Sequence, residues 1–211
     1  MQTNLIERAW VDIEAAPRGN STVTHLTDAA AAQWTGIVEL PAGATYRLAA
    51  GMRHDVYVLR GKVGAGGYAL VADDFLTQCA ASVLSAGEAG ARVLLYRQAS
   101  GLADDAPCRP RLGTASERTW HVGVNARMRV AALTGGRHHV SLVAWNPDAR
   151  TRAHTHPHGE EIFVLSGELA DADERYPAGT WLRLHPGAAH APFADVPTTI
   201  LLRHGHLPGV D

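Results

Sequence analysis

Apolar residues in this chain come in short, β-branched runs set between Gly and Pro: residues 35–40, 56–59 and 93–96, then 140–145, 162–165, 181–184 and 198–202. Runs this short, closely punctuated by turn residues, read as antiparallel strands of a sandwich or barrel rather than as βαβ units. Only two stretches read as helical. Residues 27–33 are alanine-rich, and residues 5–13 carry a weak apolar stripe. The expected fold class is all-β.

The pattern occurs twice. Glu7-Arg8-Ala9-Trp10-Val11 resembles Glu117-Arg118-Thr119-Trp120-His121, which favours a strand near Trp10. An offset of 106 then lays Pro41 on Pro147, Gly61 on Gly167 and Phe75 on Trp181. Val56-Tyr57-Val58-Leu59-Arg60-Gly61 thereby falls on Ile162-Phe163-Val164-Leu165-Ser166-Gly167, the same strand and turn in both copies. A period this long is too great for a solenoid and fits a duplicated domain. Residues 100–116, with Gly101, Asp104-Asp105, Pro107, Pro110 and Gly113, punctuate rather than pack. The expected domains are an N-terminal copy over residues 1–99, a linker over 100–116 and a C-terminal copy over 117–211.

Composition narrows the partners. A chain of 211 residues with 46% apolar residues and a net charge of −2 gives no reason to expect nucleic acid or an anionic membrane. The N-terminus lacks a charged-then-apolar signal pattern, and no apolar run approaches the roughly 18 residues of a membrane span. A soluble, cytoplasmic protein is expected. Cys79 and Cys108 lack C-x-x-C spacing and are read as idle or buried thiols.

The densest chemistry lies between His154 and His190. His154-Thr155-His156 places two imidazoles on one face of an extended segment. Pro157-His158-Gly159 turns the chain, Glu160 opens the next strand, and His190 follows the Pro186-Gly187 turn. Adjacent strand residues face opposite ways, so Glu160 is favoured as a ligand and Glu161 points away or supports from behind. Neutral imidazoles with a carboxylate suit a borderline divalent metal and leave one or two positions for water or substrate if it is five- or six-coordinate. The other polar residues have plainer readings. His158 and the pair His138-His139 are read as exposed turn residues, and His185 as structural. Arg152 shares the parity of His154 and His156 but is read as solvent-facing. Asp171 to Glu174 is read as a charged hairpin turn, not a calcium loop, and Trp145 and Trp181 as core.

His154-x-His156-x3-Glu160 followed by Gly167, with Gly179 leading to Pro186-Gly187-x2-His190, resembles the two cupin motifs. Residues 117–205 are similar to the cupin domain of ChrR-type anti-sigma factors, and residues 5–98 resemble it faintly through the repeat. The resemblance implies two tandem double-stranded β-helix (jelly-roll) barrels with a metal inside the mouth of one. It also implies zinc, iron, manganese or nickel as the metal, and relatives that include dioxygenases, isomerases and non-catalytic sensors. In the N-terminal copy the positions matching His154, His156, Glu160 and His190 are Leu48, Ala50, His54 and Leu84, so one metal per chain is expected. The helical zinc domain of a ChrR-type anti-sigma factor has no counterpart in this sequence.

The leading functional reading is a metal-dependent dioxygenase acting on a small diketone-like or hydroxylated carbonyl substrate, with His154, His156, Glu160 and His190 as ligands. The competing reading is a non-catalytic module that senses a metal or small molecule. A purely structural zinc is the third. The expected partner is a small molecule, and the two barrels are expected to pair within the chain, an arrangement compatible with a homodimer but not requiring one.

Overall fold

A computed structural model describes residues 6–17, 19–99, 108–136 and 139–209. The described residues form strands joined by turns, and no helix occurs among them. Among the described residues, no helix is long and apolar enough to cross a membrane. The chain divides into two compact units, one of Met1–Asp12 with Thr119–Asp211 and one of Ile13–Arg118.

The unit containing the C-terminus is built on a seven-stranded antiparallel sheet. Its order is Ile6–Trp10, Thr180–Leu184, Glu160–Ser166, Thr198–His204, His139–Trp145, Met128–Ala132 and His121–Val122. Two smaller sheets complete it: Ala149–Arg150, Phe193–Ala194, Glu168–Ala170 and Arg175–Pro177 form one, and His154–Thr155 with Ala189–His190 the other. Strand alternation decides the interior. Val143 and Trp145, Ile162 and Val164, and Leu182 and Leu184 point to one side and pack with Leu169, Tyr176 and Ala194. Each fully buried aliphatic side chain of this kind stabilises the fold by about 1.5–3 kcal/mol.

In the other unit, two long strands, Met52–Ala65 and Ser82–Ala99, pair along most of their length. Register shifts between Val58 and Arg60 and between Gly61 and Val63 let them bend. The interior is filled by aliphatic residues, among them Leu48, Val56, Leu76, Leu84, Val93 and Leu95. The repeat read from the sequence is visible in the strand registers. Tyr57 pairs with Phe75 as Phe163 pairs with Trp181. Gly61 and Gly167 both adopt positive φ, and a Cβ on either would lie 2.1–2.2 Å from a backbone carbonyl oxygen, of Gly90 and Pro197 respectively. Only glycine fits those turns.

Four expectations need correction. The strand Ile6–Trp10 does not join the N-terminal copy: it pairs with Thr180–Leu184 and packs Ile6 against the interior of the C-terminal unit. Arg111–Gly113, within the expected linker, in turn pairs with Phe75–Gln78. Each unit thus completes its sheet edge with a segment from outside the expected copy, Ile6–Trp10 in one and Arg111–Gly113 in the other, a pairing that local pattern cannot reveal. Residues 27–33 are not helical. The Asp28 carboxylate accepts from Ala30 N at 2.7 Å, and the Asp28 carbonyl from Ala31 N at 2.9 Å. This local turn ends so short an alanine run before a helix could nucleate. Cys79 and Cys108 are not thiols but a disulfide across 29 residues, with Cα atoms 5.8 Å apart. Such a bond persists in oxidising compartments, which counts against the expected cytoplasmic location. Finally, Leu84 pairs with Tyr46 whereas His190 pairs with His154. Tyr46 and Leu48 therefore stand where His154 and His156 do, shifted by two residues because the turn before His54 is longer. Neither supplies an imidazole.

Candidate metal centre

Three short elements bring the imidazoles together. His154 and His190 face each other across the small two-stranded sheet, and His156 follows on the same extended segment before the Pro157-His158-Gly159 turn. Gly159 allows that turn, with φ of +64°. Donor atoms of His154, His156 and His190 all lie within 4.8 Å of one another, a group that could hold a metal ion. His154 Nε2 and His190 Nε2 are 3.1 Å apart. This is about the separation of two nitrogens that share one ion at roughly 2.1 Å each and at right angles.

The surroundings prepare these nitrogens. His154 Nδ1 donates to the Arg152 carbonyl at 2.8 Å, which leaves its Nε2 lone pair aimed at the other rings. Burial, opposed by Glu160 and reinforced by His154 and His156, pushes His190 down to about 4, so it stays neutral and able to ligate at physiological pH. Glu160 closes the group from below: Oε2 is 2.9 Å from His156 Nε2 and Oε1 is 3.4 Å from His190 Nε2. The carboxylate raises His156 despite its burial, yet the buried Nε2 is out of line for a sound hydrogen bond. An imidazole nitrogen so placed fits a metal ligand better than a satisfied core histidine.

Glu161 lies on the other face of the same strand. It is fully buried, accepting from Arg183 Nε at 3.0 Å and facing His206 Nε2 at 2.9 Å. Burial alone would raise its carboxyl, but His206, Arg183 and Arg203 hold it well below the usual carboxylate range.

A cavity of about 240 Å³ opens beside the three imidazoles. Its wall is mostly apolar, formed by residues such as Met128, Val130, Val143, Ile162, Ile200 and Leu202. Trp145 lines it, whereas Trp181 sits on the opposite face with its indole N–H toward Glu161. His139 and His204 also line it, ring centroids 5.1 Å apart. The sequence reading of His139 as an exposed turn residue is thus corrected, and His204 was missed. The signal was parity: His139, Ser141, Val143 and Trp145 alternate onto one face, as do Ile200, Leu202 and His204. His138 lies outside the described residues. The Arg152 side chain is exposed, His185 pairs with Glu7, and the Asp171 carboxylate caps its own turn by accepting from Asp173 N and Glu174 N at 2.9 Å.

Residues 113–208 match the family model of the ChrR cupin-like domain. No curated protein matches the chain by sequence. Among solved structures, it resembles a provisionally assigned glyoxylate-induced protein of Pseudomonas aeruginosa, at 14% identity and TM-score 0.77, over 100% of this chain and 93% of that one. It also resembles a provisionally assigned dioxygenase of Nostoc punctiforme (15% identity, TM-score 0.71, 93% and 82% covered). A third is the oxalate decarboxylase of Lactobacillus farciminis in complex with formate (12% identity, TM-score 0.68, 99% and 88% covered). Identities this low speak for the fold alone. The chain thus shares an all-β fold with these proteins along nearly its whole length, and its residues 113–208 match the ChrR cupin-like domain family.

Proposed function

We propose that the C-terminal unit is a metal-dependent oxygenase of the dioxygenase type, acting on a small carbonyl or diketone-like substrate. One divalent ion per chain, iron, zinc, manganese or nickel, would be held by His154, His156, Glu160 and His190. The observation that carries this reading is the convergence of three imidazoles on one side of a mostly apolar cavity of about 240 Å³. A purely structural metal site is closed by its protein ligands and needs no cavity. A cavity of this size suits a compact molecule of about ten non-hydrogen atoms.

A bound divalent ion would supply Lewis-acid polarisation of a substrate oxygen, so the chain need not provide a strong base. The rest falls to the protein. The Arg152 carbonyl fixes the ring of His154. Ile162, Ile200 and Leu202 exclude water and orient the hydrocarbon part of the substrate. The names of two similar structures, a provisionally assigned dioxygenase and an oxalate decarboxylase, support an enzyme. The match to the ChrR cupin-like domain favours a second reading, a sensing module that binds a ligand without turning it over.

Anaerobic, iron-loaded protein separates the two. On addition of a small diketone, an enzyme changes its absorption spectrum and then consumes O2 when air is admitted; a sensor shows the first response only. Neither response from a broad panel of chelating carbonyls, with iron near one per chain, would rule out the oxygenase.

A further inference from the structure

We infer that His139 and His204 form a second recognition point in this cavity, one that reads a hydroxyl group of the ligand remote from the oxygens that would meet the metal. The inference rests on the reading of the cavity as a metal-dependent ligand site. His139 opens the strand His139–Trp145, His204 closes the strand Thr198–His204, and the two are direct cross-strand partners. Both point into the cavity, with rings tilted by 43°. They are not part of the candidate ligating group of His154, His156 and His190: the ring of His204 is 6.3 Å from that of His156, centroid to centroid, and the ring of His139 is 5.1 Å from that of His204.

Among the described residues, neither ring nitrogen of His139 or His204 has a hydrogen-bonding or ionic partner. Both residues are half-buried and line the cavity, so their ring nitrogens can meet a ligand that enters it. A wall that served only to exclude water would carry aliphatic residues at these positions, as it does at Leu202 and Val143. Each neutral imidazole carries one N–H donor and one bare nitrogen acceptor, so the two rings together can turn a donor and an acceptor toward one point. A hydroxyl, which both donates and accepts, meets that arrangement at a single atom. The ligand class is therefore a compact molecule with two oxygen donors at one end, a hydrocarbon body and a distal hydroxyl.

The test uses cobalt(II)-loaded full-length protein and three probes with one chelating head: benzohydroxamate and its 3-hydroxy and 4-hydroxy derivatives. Dissociation constants come from titration of the cobalt absorption bands. A hydroxylated probe is expected to bind about three- to tenfold more tightly than benzohydroxamate. His139→Leu and His204→Leu should abolish this preference, read as the ratio of the hydroxylated to the plain probe's affinity within each variant, and His139→Gln and His204→Gln should restore part of it. Equal affinity of all three probes for the unmodified protein, or a preference that survives in the leucine variants, would overturn the inference and leave the cavity reading intact. If none of the probes perturbs the cobalt spectrum, the cavity reading itself fails and the inference falls with it.

Discussion

Glu160 and Glu161 are neighbours in the chain but sit in different chemical settings. Glu160 is 3.4 Å from His190 and 2.9 Å from His156, among the candidate ligand nitrogens, whereas Glu161 anchors two arginines and a histidine on the opposite face. Their losses should therefore differ in kind. Glu160→Ala and His190→Ala should strip most of the metal from protein that remains folded. Glu161→Gln should keep the metal of the folded fraction but lower stability by about 3–5 kcal/mol, because it leaves buried cations uncompensated. Metal analysis paired with denaturant titration checks this, and equal metal losses at both glutamates would contradict the assignment. A second residue-scale consequence concerns His54. Burial first, then Arg97, lowers it to about 4 against the opposing pull of Asp55, from 6.5 in an unfolded chain. Over that interval the unfolded state takes up a proton that the native state refuses, so stability falls as pH falls from about 6.5 to 4. The slope is about 1.4 kcal/mol per pH unit for each such proton. His54→Gln should flatten the dependence by one proton in urea titrations across this range; an unchanged slope would show that His54 titrates normally in the native state.

At the scale of elements, what could be read in advance was what local pattern encodes. Alternation exposed the strands and their facing, and His-x-His with the two Gly turns exposed the grouping of His154, His156 and His190. The turn at Gly167 could be read because only glycine tolerates it. Contacts between distant segments were not legible. Nothing in Ile6–Trp10 or Arg111–Gly113 names the strand it pairs with, and nothing in two cysteines without a motif says that folding brings their Cα atoms to 5.8 Å. His204 was missed for a related reason: its role depends on its cross-strand partner His139. The disulfide makes its own prediction. Closing a 29-residue loop restricts the unfolded chain, which is worth about 3–4 kcal/mol. Cys79→Ser should lower the stability of the Ile13–Arg118 unit by that amount under non-reducing conditions, and thiol titration of denatured, unreduced protein should find no free cysteine. Two titratable thiols per chain would refute the bond.

At the scale of the whole molecule, the edge strand Ile6–Trp10 belongs to the unit that contains the candidate metal centre. Removing residues 1–12 from the full chain uncovers the backbone of Thr180–Leu184, and with it Leu184, the cross-strand partner of Glu160. Hydrogen exchange at those amides should accelerate and the transition assigned to the C-terminal unit should fall by about 5 °C or more, with the Ile13–Arg118 transition unmoved. Full protection of Thr180–Leu184 in the truncated protein would mean that the strand is dispensable. The same strand bears on how the protein is made. Glu7 pairs with His185, 178 positions downstream. At ribosomal speeds of about 5–20 residues per second, the leading segment waits on the order of ten seconds or longer before its docking site leaves the exit tunnel. During that interval the Ile13–Arg118 unit can complete itself, while the opening residues trail as an unsatisfied β-edge. Glu7 and Arg8 give that strand the charged side chains that, on exposed edges, disfavour pairing with another chain.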